Sequence, residues 1–272
     1  MSNAAVRIIV SVIAIPLILF VAFYGSYFFL FFTLFIGLAG YYEFGAMVKK
    51  KEILVNSAVG YLSVSALILN QYFKLLHFEL LLIAIVLLLL LNELFRNNGS
   101  ASANLGGSLL GIFYVGLFAS AVVGVRELYV DSVFPYSSGG LLIIAVFASI
   151  WLCDSAAFFI GTAIGKHKLF PRVSPNKSWE GAIAGFVFAV AAMIAAHFIA
   201  IDFLTVGQSA ALGIIVGIFG QTGDLVESLI KRDAGVKDSS SLIPGHGGIL
   251  DRFDSFLFSA PFIFLFMKYF AF

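Results

Sequence analysis

The stretch GDLVESLIKRDAGVKDSSSLIPGHGGILDRFDS, residues 223–255, brings acids and bases together at spacings that suit metal–phosphate chemistry. Asp224, Glu227 and Ser228 follow an i, i+3, i+4 pattern, so a helix would place them on one face just before the basic pair Lys231 and Arg232. Asp251 and Asp254 repeat the three-residue spacing at the start of the next apolar run. Two helix ends that each present a pair of acids make a hard-oxygen site suited to Mg²⁺. Two such ions could clamp the attacking and leaving oxygens of a phosphoryl displacement. Lys231, Arg232, Lys237 and Arg252 surround the acids. The acids would hold the metal and the bases the phosphates. The GHGG run, residues 245–248, supplies backbone that can approach a phosphate closely.

A second polar stretch, CDSAAFFIGTAIGKHKLFPRVSPNKSWEG, spans residues 153–181. Asp154 lies eleven residues before Gly165, about 16 Å along a helix and near mid-bilayer. A carboxylate at that depth is costly; it serves either a function or an interhelical hydrogen bond. Asp154, Phe158, Gly161 and Gly165 share a face on which the glycines leave room for a ligand or a neighbouring helix. Ser174 and Pro175 suggest a turn, and Ser178 an N-cap with Glu180 in the first helical turn. Glu180 serves the site or complements the helix dipole. Lys177 binds phosphate or follows the excess of positive charge on the cytoplasmic side. His77, His167 and His197 have no metal-ligand partner at useful spacing, and Cys153, the sole cysteine, excludes an internal disulfide.

The rest of the chain must position these residues, and it is built for lipid. Only 11% of the 272 residues are charged, against about 25% in a soluble domain, and mean hydropathy is +1.05. Nine apolar runs are long enough to read as spans: 7–24, 27–48, 53–73, 77–95, 105–124, 140–165, 180–201, 206–230 and 252–271. No cleavage site follows the first, so it reads as a span and not a removed signal peptide. Of the sixteen Lys and Arg, all but Lys74, Arg126 and Lys268 fall on the side of the N-terminus. Positive charge stays in the cytoplasm, which predicts a cytoplasmic N-terminus, an outside C-terminus and cytoplasmic loops at 166–179 and 231–251. The expected fold is all-α and polytopic. Residues 1–139 form a plain scaffold of about five helices. Residues 140–272 form a catalytic region of about four, with its site at the cytoplasmic face. A formal net charge of +1 gives no basis for binding nucleic acid.

The segment SLIKRDAGVKDSSSLIPGHGGILDRFD, residues 228–254, resembles the signature of the phosphatidate cytidylyltransferases, or CDP-diacylglycerol synthases. Ser228, Lys231, Arg232, Lys237, Asp238, His246, Gly247, Gly248, Asp251, Arg252 and Asp254 fill every fixed position. SPNKSWEG and GDLVES also resemble segments of that family. The resemblance is close over residues 150–256 and extends elsewhere only as a multi-span scaffold. It implies transfer of a cytidylyl group from CTP to phosphatidic acid, giving CDP-diacylglycerol and pyrophosphate with Mg²⁺. It also implies a homodimer in the inner membrane and a cavity open to cytoplasm and lipid. On this reading Asp224, Asp251 and Asp254 hold the metal, with Lys237 and Asp238 as further catalytic candidates. Lys177, Lys231, Arg232 and Lys237 hold phosphates. Ser228 and Arg252 lie at the substrate, and His246, Gly247 and Gly248 shape the nucleotide pocket. Asp154, Glu180 and Glu227 are second choices.

Two other readings compete. A CTP-dependent lipid kinase, acting on a polyprenol for instance, would share the chemistry but release CDP. An ion-coupled transporter would explain intramembrane acids, but the charges gather on one face and no inverted repeat is visible. The Asp-Gly-x-x-Ala-Arg motif of CDP-alcohol phosphotransferases is absent from the sequence.

Overall fold

A computed structural model describes residues 3–271, with side chains from Ile8 onward. Within those residues the chain forms nine continuous helices: α1 (Asn3–Tyr24), α2 (Ser26–Lys49), α3 (Ser57–Phe73), α4 (Phe78–Leu94), α5 (Ala101–Arg126), α6 (Ser137–Ile164), α7 (Trp179–Ile199), α8 (Val206–Asp233) and α9 (Leu250–Ala271). Apolar runs become helices because lipid offers backbone groups no partner, so each segment must satisfy its own. The polar joins set the ends. Asn56, Ser100 and Ser178 cap α3, α5 and α7 by accepting backbone N–H groups, and Thr205 and Gln208 form a reciprocal box at the start of α8.

The protein is an all-α polytopic membrane protein. Six helices, α2 and α5 to α9, are long and apolar enough to cross a bilayer. Helices α3 and α4 have 17 residues each, and the described apolar part of α1 is Ile8–Tyr24. Many large apolar side chains face outward, Phe31, Leu91, Phe159 and Val187 among them. So broad an apolar surface suits lipid and would aggregate in water. The chain ends, on which the topology expectation falls, lie outside the described residues.

One short element corrects the sequence reading. Between α6 and α7, β1 (Lys168–Phe170) and β2 (Ser174–Ser178) pair antiparallel. Ser174 and Pro175 therefore sit in a strand, and the turn lies at 171–173, where the Val173 N–H donates to Phe170 O. Proline is tolerated on a hairpin because its missing N–H falls on an open edge.

The helices form two compact units. The first comprises the chain up to Ala14, Ser26–Gly124 and Ile230–Phe253. Its core holds Phe29, Ile36, Tyr41, Phe44, Val64, Leu67 and Val115, and Gly37 and Gly116 let α2 and α5 lie close to α3. The second comprises Ile15–Gly25, Val125–Leu229 and the chain from Asp254 on. There α6 and α7 pack along small residues: a Cβ on Gly161 would meet Gly181, and one on Gly185 would meet Cys153. The glycine face of α6 thus receives a neighbouring helix. In the same unit Arg126 is wholly buried, donates to Ala22 O, Phe23 O and Tyr136 O, and lies over the Tyr136 ring.

Candidate active site

The loop after α8 and the first turn of α9 fold around Asp251. Its Oδ1 accepts from Lys231 Nζ at 2.6 Å, and both side chains are largely buried. Its Oδ2 accepts the Ser239 and Gly248 backbone N–H groups at 2.8 Å each, and the Ser239 hydroxyl lies at the same distance. A carboxylate out of water needs such partners. The geometry also accounts for two signature glycines. Gly247 has φ +86°, and a Cβ there would lie 2.7 Å from Asp251 Oδ2. A Cβ on Gly248 would strike the Ser239 hydroxyl and both carboxylate oxygens of Glu43. Both glycines therefore let backbone close on carboxylates, a constraint distinct from the nucleotide pocket expected of them.

Glu43 is the residue that the sequence reading missed. It lies on α2 with no exposed surface. Its Oε1 accepts from Ser240 Oγ and Ile249 N, and its Oε2 from Ser239 Oγ and Leu250 N, at 2.6–2.9 Å. Residues 1–139 are thus more than a plain scaffold. The signal was available: an acid inside an apolar run is a functional candidate by default, the same rule that singled out Asp154.

The second unit gathers the other acids. Lys177 Nζ donates to Asp224 Oδ2 at 2.6 Å, and Ser228 Oγ donates to Asp224 Oδ1 at 3.3 Å. Lys177 therefore meets an acid of the expected site, brought from β2 by the hairpin. Asp254 is buried, accepts the Ser255 N–H at 2.7 Å, and lies within electrostatic reach of Asp224, Glu227 and Asp154. Asp154 itself is exposed on α6. Just before Asp224, α8 widens into a π-helical turn at Val216–Gly220, where the Gln221 amide donates to Gly217 O and to Ala182 O on α7.

Lys237, Asp238 and Arg252 are exposed, and Arg232 donates to Val236 O at 3.1 Å. His246 Nε2 lies 3.3 Å from Ser11 Oγ on α1. Glu180 is held by His167, with Nδ1 at 2.6 Å and the backbone N–H at 3.3 Å. A cavity of about 380 Å³ opens in the first unit beside Tyr41, Lys49, Tyr61 and Arg96; none of its lining residues belongs to the signature.

Among the described residues no three His, Cys, Asp or Glu side chains converge on a point where a metal ion could sit. The chemistry of the donors nevertheless fits a hard cation. Asp254 interacts electrostatically with Asp224, Glu227 and Asp154, and the Lys177 ammonium is brought to Asp224 by its hydrogen bond. Carboxylate oxygen is the donor that Mg²⁺ prefers.

A polytopic helical membrane protein with an acid–lysine couple in each of its two units is the class that fold and site define. Residues 5–270 match the cytidylyltransferase family. The chain is 32% identical over 271 residues to the phosphatidate cytidylyltransferase of Bacillus subtilis (strain 168), covering 97% of this chain and 98% of the relative. It is 34% identical over 275 residues to the phosphatidate cytidylyltransferase of Brucella suis biovar 1 (strain 1330), covering 100% and 96%. A Staphylococcus haemolyticus (strain JCSC1435) relative of the same name is 46% identical over 146 residues, covering 53% of this chain and 55% of the relative. The chain belongs to the cytidylyltransferase family, and it is a nucleotidyltransferase.

Proposed function

We infer that this protein transfers a cytidylyl group from CTP to phosphatidic acid, giving CDP-diacylglycerol and pyrophosphate for phospholipid synthesis. The observation that carries the reading is the end-to-end match to relatives of that name, in a chain whose signature is complete. A phosphatidate oxygen attacks the α-phosphorus of CTP. The new P–O bond forms as the bond from that phosphorus to the bridging oxygen breaks, and pyrophosphate leaves with the bridging oxygen.

The acid–lysine couples suit this chemistry. Lys177 and Lys231 now neutralise Asp224 and Asp251. A triphosphate is a stronger partner for an ammonium group, so nucleotide binding draws both lysines to phosphate and frees the two carboxylates. Arg232, Lys237 and Arg252 add positive charge for the same anion, and His246 with Gly247 and Gly248 borders the nucleotide. Lys237 and Asp238 stand as further catalytic candidates. Asp224, Asp251 and Asp254 are the proposed metal ligands, with Glu227, Asp154 and Glu180 as alternates. Mg²⁺, when bound, supplies neutralisation of the triphosphate charge. The protein's share is to orient the two phosphates and exclude competing nucleophiles, as expected where catalysis is mainly positioning and electrostatics.

The signature loop faces the cytoplasm in this reading, the protein spans the inner membrane nine times, residues 140–272 carry the chemistry, and two copies pair as a homodimer. The 13 Lys and Arg on the N-terminal side support the orientation. The deciding experiment gives purified protein labelled CTP, Mg²⁺ and phosphatidic acid. CDP-diacylglycerol with pyrophosphate is the expected product pair, whereas CDP with a phosphorylated lipid alcohol would indicate a kinase. Orientation is read from Leu242→Cys in a Cys153→Ala background, which should react with an impermeant maleimide only after cytosolic access.

A further inference from the structure

We propose that Glu43 is a positioning residue for the reaction: it fixes the start of α9 and the loop before it, and through them Asp251. The inference rests on the activity proposed above. Glu43 is fully buried on a membrane helix, where a carboxylate is costly unless it is bonded. It is bonded at both oxygens, and all four donors come from the signature segment: the Ser239 and Ser240 hydroxyls and the Ile249 and Leu250 N–H groups. N–H groups in the first turn of a helix have no partner within it, and negative charge is favoured there. Glu43 thus caps α9 from a helix about two hundred residues earlier in the chain. The face of α2 that carries it is shaped to the same end. Gly40 lies against Leu250, and the Phe32 ring meets Phe253 edge-on at 5.8 Å.

The link to Asp251 is Ser239. Its hydroxyl stands 2.9 Å from Glu43 Oε2 and 2.8 Å from Asp251 Oδ2, and it has one proton to give. It serves one carboxylate at a time, while the Ser239 and Gly248 N–H groups stay on Asp251. Where Glu43 holds Ser239 and Leu250 therefore sets where Asp251 points. A Gln at position 43 would keep the volume but turn one acceptor into a donor, facing an N–H or a hydroxyl that now donates. An Asp would keep the charge on a shorter stem.

The test uses the full chain, purified, as Glu43→Gln and Glu43→Asp. It reads kcat and KM for CTP and, in a Cys153→Ala, Leu242→Cys background, the rate of maleimide labelling. Leu242 is 53% exposed and makes no contact with Glu43 in the network above. Glu43→Gln should lower kcat by about 30-fold or more with KM for CTP within about threefold, since the loss falls on orientation and not on ground-state binding. Labelling should quicken about fivefold as the loop loosens, and Glu43→Asp should recover kcat to within about tenfold of the parent. Near-parental kcat in Glu43→Gln overturns the proposal, as does an equal loss in both variants with unchanged labelling. If Glu43→Gln does not fold, Ser240→Ala removes one donor and leaves the acid. It should lower kcat by about threefold or more with faster labelling, and parental behaviour in both readouts overturns the proposal. A parent protein with no CTP turnover would instead sink the activity assignment, while the labelling comparison would still judge Glu43.

Discussion

In the first unit Asp251 meets Lys231, two backbone amides and a serine hydroxyl, whereas in the second Asp254 is buried and interacts electrostatically with Asp224, Glu227 and Asp154. Both are signature aspartates, three residues apart on α9. Asp251 belongs to a network whose donors fix its direction, and Gly247 lets the backbone close on it. Asp254 belongs to a crowd of like charge, which costs free energy unless cations or protons relieve it. The difference teaches that one signature can combine two physical demands. A direction is held by hydrogen bonds, and a gathering of carboxylates suits a cation.

The largest expected effect comes from Asp251→Asn. It removes the charge that Lys231 balances and turns an NH₂ toward donors that now serve the carboxylate. Turnover should fall by about 10³-fold or more in the labelled-CTP assay, with the protein still present in membranes. Near-normal turnover would break the comparison, because the best-bonded aspartate would then be idle. The pair Asp224→Ala and Asp251→Ala sharpens it. Each single change should cost nearly all activity, and the double little more than either, as for groups that act as one unit. Losses that multiply would mean that the two neighbourhoods contribute independently.

Gly248→Ala comes next. A Cβ there would lie 2.5 and 2.6 Å from the two Glu43 oxygens, so the loop must shift, and kcat should fall by about 10- to 100-fold. Parental activity would show that the close approach is not needed. Lys177→Gln should raise KM for CTP by about tenfold, with a smaller change in kcat, if the lysine leaves Asp224 for phosphate. A change in kcat alone would instead assign Lys177 to holding Asp224 in place. His167→Ala should alter turnover by about twofold at most, since its partner is Glu180 and the imidazole is largely exposed. A loss as large as that from Lys177→Gln would bring Glu180 into the site as more than an alternate.

Much of this protein was decided by sequence alone. Lipid leaves an apolar run one economical way to satisfy its backbone, so the apolar runs became helices with ends near those expected, six of them among the described residues long and apolar enough to cross a bilayer. The signature spacing was equally legible, because motif residues such as Asp251 and Asp254 are neighbours on one helix. Ser178 as an N-cap needed only its own first turn. Partners distant in sequence were not legible. Local spacing could not show that Glu43 holds residues 239–250, that Lys177 reaches Asp224, or that Gly161 packs on Gly181. Nor could it show that Ser174 and Pro175 join a strand, since a two-stranded hairpin depends on a register between segments, not on either segment's own periodicity. Composition and period fix what each segment becomes, because those forces act within a few residues. Which buried charge meets which donor is decided only when the helices pack, because a hydrogen bond is set by distance in space and is indifferent to distance along the chain.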